Sequence, residues 1–143
     1  MNKEEIKKIL PHREPMLLVD EIEIDDQKVA HAKYKVKGDE FFLQGHFPDY
    51  PVVPGVILCE IMAQSSCIII QEALIGRTPF YAGIDKVKFK KQVRPHDVVE
   101  VKARIINQKG LVFFVEGVAT VDNEMCAKAE MIFALVDNDK IEK

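Results

Sequence analysis

The chain has no tryptophan, only three cysteines, and seven each of glycine and proline among 143 residues. So little glycine and proline excludes collagen-like and low-complexity chains. Cys59, Cys67 and Cys126 cannot all pair and lack C-x-x-C spacing. They are expected to be free thiols in a reducing cytoplasm rather than a disulfide frame. Neither they nor the four histidines show zinc-ligand spacing, so no metal is expected. Excess positive charge is also missing: 20 Lys+Arg against 23 Asp+Glu give a net charge of −3, which argues against a nucleic-acid partner. There is no Gly-rich phosphate loop, no internal repeat and no linker composition, so residues 1–143 are expected to form one domain. Met1-Asn2-Lys3-Glu4-Glu5 carries acids where a secretion signal is apolar, and none is expected.

What is present is ordinary globular material, 48% hydrophobic and 30% charged, enough to bury a core. Residues 3–9 suggest a short helix stopped by Leu10-Pro11. Met16 to Ile24 is strand-like. Val29 to Lys37 alternates Ala30, Ala32, Tyr34 and Val36 with His31, Lys33, Lys35 and Lys37, the period of a half-buried strand. Residues 54–75, from Pro54 to the stop at Gly76, read as one helix of roughly 33 Å. It is apolar nearly all round, as a core helix or a membrane span would be. Glu60, Gln64, Ser65, Ser66 and Gln71 inside it weigh against lipid, so no membrane span is expected. Further strands are expected over 87–93, 99–105, 111–121 and 125–136, with turns at Gln108-Lys109-Gly110 and Asp122-Asn123-Glu124. The Val and Phe stripes on these strands read as core. The economical packing is α+β: an antiparallel six-stranded sheet curled around a long central helix. The charged tail from Asp137 to Lys143 is expected to fray.

Chemistry concentrates in one stretch. In Gly45-His46-Phe47-Pro48-Asp49-Tyr50-Pro51-Val52-Val53-Pro54-Gly55-Val56, three prolines at spacing three stiffen a loop. His46 stands at its start, and imidazole exchanges protons near neutrality. By itself it reads more simply as a loop histidine bonded to backbone. Glu60 follows in the apolar helix, with Gln64 one turn further on the same face. Burial favours the neutral form of a carboxylic acid, which can donate a proton to a leaving group. Gln64 alone would also satisfy a purely structural Glu60. The helix start at Gly55 and Val56 offers free N–H groups and the positive dipole end for an oxyanion. A base, an acid and an oxyanion site beside an apolar channel suit proton abstraction next to a carbonyl with loss of a β-hydroxyl.

Leu10-Pro11-His12-Arg13 with Met16-Leu17-Leu18-Val19-Asp20, then Gly45-His46-Phe47-Pro48, Pro51-x-x-Pro54-Gly55-Val56, Glu60 and Ala63-Gln64, resemble the FabZ-type (3R)-hydroxyacyl-acyl-carrier-protein dehydratases along essentially the whole chain. The resemblance implies a hot-dog fold and a hydro-lyase of bacterial fatty-acid synthesis that uses no cofactor. His46 then falls on the base, Glu60 on the acid and the Gly55 N–H on the thioester carbonyl. Related FabA-type dehydratase/isomerases usually carry Asp at the acid position, so Glu60 favours the FabZ type. The resemblance treats His12-Arg13 as structural, while His31 and His96 receive no role. Phe80-Tyr81, in the connection after the helix, could line an acyl tunnel or simply pack.

The resemblance also implies an acidic acyl carrier protein as partner. Lys86, Lys88, Lys90, Lys91 and Arg94 form the clearest positive cluster, either its docking patch or a solvated strand face. One chain would struggle to fold the stiff His46 loop back onto its own Glu60. A two-fold homodimer with shared active sites is therefore expected, and the resemblance implies a trimer of such dimers. The rival readings are a thioesterase and a non-catalytic acyl-thioester binder.

Overall fold

The computed structural model describes residues 1–141; the end of the charged tail expected to fray lies outside them. Asn2 opens α1 (Lys3–Lys7) with a capping box, its side chain accepting from the Glu5 N–H while Glu5 accepts from the Asn2 N–H, which satisfies two orphan donors. The Arg13 guanidinium then donates to the carbonyls of Lys7, Leu10 and His12. That turn ends the helix two residues earlier than residues 3–9 suggest.

Six antiparallel strands follow: β1 (Glu21–Ile24), β2 (Ala30–Lys35), β3 (Arg77–Phe89), β4 (Val98–Lys109), β5 (Val112–Val121) and β6 (Glu124–Asp137). Their spatial order is β1-β2-β4-β5-β6-β3. Between β2 and β3 lies the helix α2 (Gly55–Ile69), against which β2, β4, β5 and β6 pack. The alternation of β2, of β4 as far as Ile105, and of β5 puts one side of each on this core. Asp122 and Asn123 both adopt positive φ, 50° and 64°, the geometry of a tight hairpin between β5 and β6.

Several boundaries differ from the sequence pattern, each for a visible reason. Residues 16–20 are not strand, because the buried Gln64 amide accepts from the Leu18 N–H and donates to the Met16 carbonyl. These are the backbone groups a neighbouring strand would need. Helix α2 stops at Ile69, so it spans about 22 Å rather than 33 Å. The β-branched run Ile68-Ile69-Ile70 disfavours continued helix, and Ile70 leaves it at φ −102° and ψ 28°. Turns carry the chain to Gly76, whose φ of 72° aims it into β3.

Phe80 and Tyr81 lie within β3 rather than in a connection, and β3 crosses to the sheet edge beside β6. Val87 and Phe89 are exposed there, so that part of the apolar stripe is not core. The near end of the tail is held: Asp137 accepts from Arg77 at 2.9 Å and Asn138 from Thr78 at 2.6 Å.

Small residues let the sheet close around the helix. Ala32, Ala103, Ala119, Ala127 and Ala129 are buried on the strands, and a Cβ on Gly117 would lie 3.1 Å from the Met62 Cβ. Ser65 and Ser66 are buried on α2, their hydroxyls donating to the Ile61 and Met62 carbonyls. Gly117→Val is therefore expected to destabilise the fold by about 1–3 kcal/mol through overpacking, read from the urea midpoint. An unchanged midpoint would show that α2 is not held this close to β5.

Candidate active site

Glu60 sits on the second turn of α2 with its side chain one-fifth exposed. Gln64, one turn on and fully buried, donates from Nε2 to the Glu60 Oε2 at 2.8 Å. The same amide holds Met16 and Leu18, so every polar atom of Gln64 is bonded and its orientation is fixed. The sequence placed Gln64 correctly beside Glu60 but gave no sign of its clasp on residues 16–18.

His12 is the residue that sequence reasoning missed. Its Nε2 lies 3.6 Å from the Glu60 Oε2. Local spacing carries no signal for this contact, which joins positions 48 residues apart. Arg13, by contrast, is structural as the resemblance implies, since its guanidinium spends its bonds on the turn.

A cavity of about 50 Å³ opens here, lined by His12, Glu60, Gln64, Cys67, Tyr81 and Phe133 among others. The Tyr81 hydroxyl donates to the Cys59 carbonyl at 3.1 Å, and its ring lies 5.2 Å from that of Phe133. Burial raises the Tyr81 phenol above its ordinary range, keeping it a neutral donor. Burial also pushes the Cys67 thiol up to about 12, which makes it a wall rather than a nucleophile. Of the pair Phe80-Tyr81, only Tyr81 lines this cavity; Phe80 is 46% exposed.

His46 does not line that cavity. It begins the proline-rich loop, where the Val52 N–H donates to the His46 carbonyl at 2.9 Å. The His46 Nδ1 meets the Val52 carbonyl at 3.1 Å. A carbonyl only accepts, so Nδ1 carries the proton and Nε2 keeps a free lone pair. The ring stacks on Phe47, centroids 4.3 Å apart. The loop is anchored by Val53 N–H to the Val93 carbonyl, by the Tyr50 hydroxyl to Gln92, and by Arg94 lying 3.8 Å over the Tyr50 ring. Within one chain, His46 on its loop and Glu60 in its cavity are thus separate.

Pro54 opens α2 with no side-chain cap, so the first N–H groups, those of Gly55 and Val56, face outward at the positive end of the helix. Glycine at 55 also has a packing cause: a Cβ there would fall 2.8 Å from the Phe89 ring. Val56 is 74% exposed. In the basic cluster Lys86 pairs with Glu130 and Lys91 with Glu124. Among the described residues Lys88 and Lys90 make no ion pair. Lys88 stands opposite Lys128 across β3 and β6, so positive charge is concentrated there.

A FabA-like domain pattern matches residues 10–130. The chain belongs to the FabA-like family. Among curated relatives, a protein of Clostridium perfringens named 3-hydroxyacyl-[acyl-carrier-protein] dehydratase FabZ is 49% identical over 138 residues, covering 94% of this chain and 99% of that protein. A Bacillus subtilis protein of the same name is 44% identical over 138 residues, covering 94% and 98%. The solved dehydratase heterocomplex ApeI:P from Xenorhabdus doucetiae superimposes with TM-score 0.80 at 17% identity, covering 94% of this chain and 93% of that one. That likeness concerns the fold alone. The FabA-like family places the long helix α2 wrapped by six antiparallel strands in the hot-dog fold.

Gln64→Leu keeps the shape but strands the Leu18 N–H, the Met16 carbonyl and one bond to Glu60. Each buried polar group left unpaired costs about 1–3 kcal/mol. A fall of at least about 2 kcal/mol in unfolding free energy is expected from urea titration. A smaller change would mean that the clasp on residues 16–18 is dispensable.

Proposed function

We propose that this chain dehydrates (3R)-3-hydroxyacyl-acyl carrier protein to trans-2-enoyl-acyl carrier protein in type II fatty-acid biosynthesis, with His46 as base and Glu60 as acid. The observation that carries the reading is the His46 tautomer, since the Val52 carbonyl leaves Nε2 free to remove the proton next to the thioester carbonyl. Glu60 then protonates the β-hydroxyl, which leaves as water. The Gly55 and Val56 N–H groups take the negative charge that develops on the carbonyl oxygen. The names of the 44–49% identical relatives support the same chemistry. No cofactor enters, because the step is a proton relay without change of oxidation state. Tyr81 lines the start of the acyl path, while Phe80 stays on the exposed strand edge.

The site is completed by a second copy of the chain. Strand β3 is 13 residues long with one edge of the sheet open, and it exposes Phe80, Tyr81, Ile84, Val87 and Phe89. Long apolar edges of this kind invite pairing. Phe47, Tyr50 and Val56 are exposed around the loop and the helix start. Pairing of two β3 edges covers this surface and brings His46 of each chain to Glu60 of the other. A trimer of such dimers belongs to the same reading. Among the described residues no helix is long and apolar enough to cross a membrane. The buried, unpaired Cys59, Cys67 and Cys126 support a reducing, cytoplasmic setting.

His46→Ala and Glu60→Gln are each expected to lower turnover by about 10²–10⁴-fold with the thermal melt retained. The assay follows conjugated enoyl thioester by absorbance, and thiol release would indicate a thioesterase instead. Refolding the two inactive variants together gives mixed dimers with one intact and one doubly damaged site. Random mixing makes about half of the dimers mixed, so roughly a quarter of wild-type activity should return. No return, with chain exchange confirmed by mass spectrometry, would sink the shared site.

The acidic carrier protein docks on Lys88 and Lys90, with Lys86, Lys91 and Arg94 around them. Exposed charges are screened beyond roughly 8 Å at physiological salt. The KM for carrier-bound substrate is therefore expected to rise with salt and in Lys88→Glu or Lys90→Glu, while a small thioester mimic is unaffected. Equal effects on both substrates would remove the patch from docking.

A further inference from the structure

Glu60 has a second neighbour besides Gln64, and its ring chemistry is constrained. The His12 Nδ1 is buried and has no hydrogen-bond partner among the described residues. A neutral imidazole carries one N–H and one lone pair. A buried N–H without an acceptor is the rarer and costlier of the two orphans. The proton therefore belongs on Nε2, the nitrogen 3.6 Å from the Glu60 Oε2. Full protonation would put a hydrogen on Nδ1 as well, where nothing accepts it.

Other groups nearby act in the same direction. Burial holds His12 below the ordinary imidazole range, Arg13 beside it adds to this, and the attraction of Glu60 does not reverse it. Gln64, Tyr81 and Cys67, which share the cavity, bring no positive charge. Glu60 thus faces two neutral dipoles and no cation.

We propose that His12 is a positioning residue for the acid: a neutral imidazole in the Nε2–H form that orients the Glu60 carboxyl without fixing it as a carboxylate. The proposal rests on the dehydratase reading of Glu60. A cation at this distance would stabilise the charged carboxylate and remove the proton that must reach the leaving hydroxyl. At 3.6 Å the pair is just beyond hydrogen-bond length, so His12 steers the carboxyl while Gln64 holds it. The Arg13 bonds to the Leu10 and His12 carbonyls keep the ring in place.

Two measurements test this. Ring ¹⁵N NMR of the wild-type protein reads the tautomer without any substrate. It should show Nε2–H and a ring that stays neutral as the pH falls through the ordinary imidazole value of 6.5. An Nδ1–H ring, or an imidazolium at neutral pH, would overturn the proposal. Kinetics of His12→Phe, which fills the space without a donor, and His12→Gln, which keeps a neutral N–H, read the consequence. With both folded, the Phe variant should lose about 10- to 100-fold in kcat with KM little changed, and the Gln variant should recover most of it. Wild-type kcat in the Phe variant, or equal loss in both, would overturn the proposal. Failure of the wild-type protein to form enoyl thioester would instead sink the dehydratase reading and leave the tautomer result standing.

Discussion

One buried amide organises the region around Glu60. Gln64 is inaccessible to solvent, so each of its polar atoms needs a protein partner, and it finds three: the Leu18 N–H, the Met16 carbonyl and the Glu60 carboxyl. The first two bonds hold a buried, non-strand segment against α2 in place of a ladder. The third sets the direction of Glu60. The segment so held follows directly on the turn that carries His12, and a single side chain thereby couples the packing of the N-terminal region to the geometry of the site.

That arrangement requires the sheet to lie close to α2, which is why alanines and Gly117 stand where larger residues would normally fill a core. Close wrapping has a second consequence. Strand β3 is carried to the far edge, beside β6, and leaves an open apolar edge next to the start of α2, where Phe89 covers Gly55. His46 sits on the loop leading into that helix start, and Glu60 lies deeper along the helix in a cavity that His46 does not line. A fold that buries one helix so completely has little room for a site within a single chain. In the proposed dimer, an interface between copies supplies that space.

The histidines illustrate why identical side chains take different roles. His46 has a carbonyl at Nδ1, which exposes a basic nitrogen. His12 has nothing at Nδ1 and a carboxyl near Nε2, which makes it a donor. His31 pairs with Asp25 on the outer strand face, where neither group approaches the site. The backbone and side-chain partners, and not the residue type, separate the three histidines.

Alternation identified β2 and β4, because period-two burial is a local property of a strand with one wet face, and turn residues on either side delimited β5. The proline-rich loop, the buried helix and the pairing of Glu60 with Gln64 were legible for the same reason: each depends on residues within a few positions. The end of α2 at Ile69, the loss of strand over 16–20 and the exposure of Val87 and Phe89 were not legible. The last two depend on where the Gln64 amide and the sheet edge lie, whereas the helix end follows from the β-branched run Ile68-Ile69-Ile70, which apolar patterning does not register. His12 against Glu60 is the clearest case. Sequence determined which groups can move protons, whereas only tertiary structure decided which of them meet, since a contact across 48 residues is set by packing and leaves no trace in local spacing.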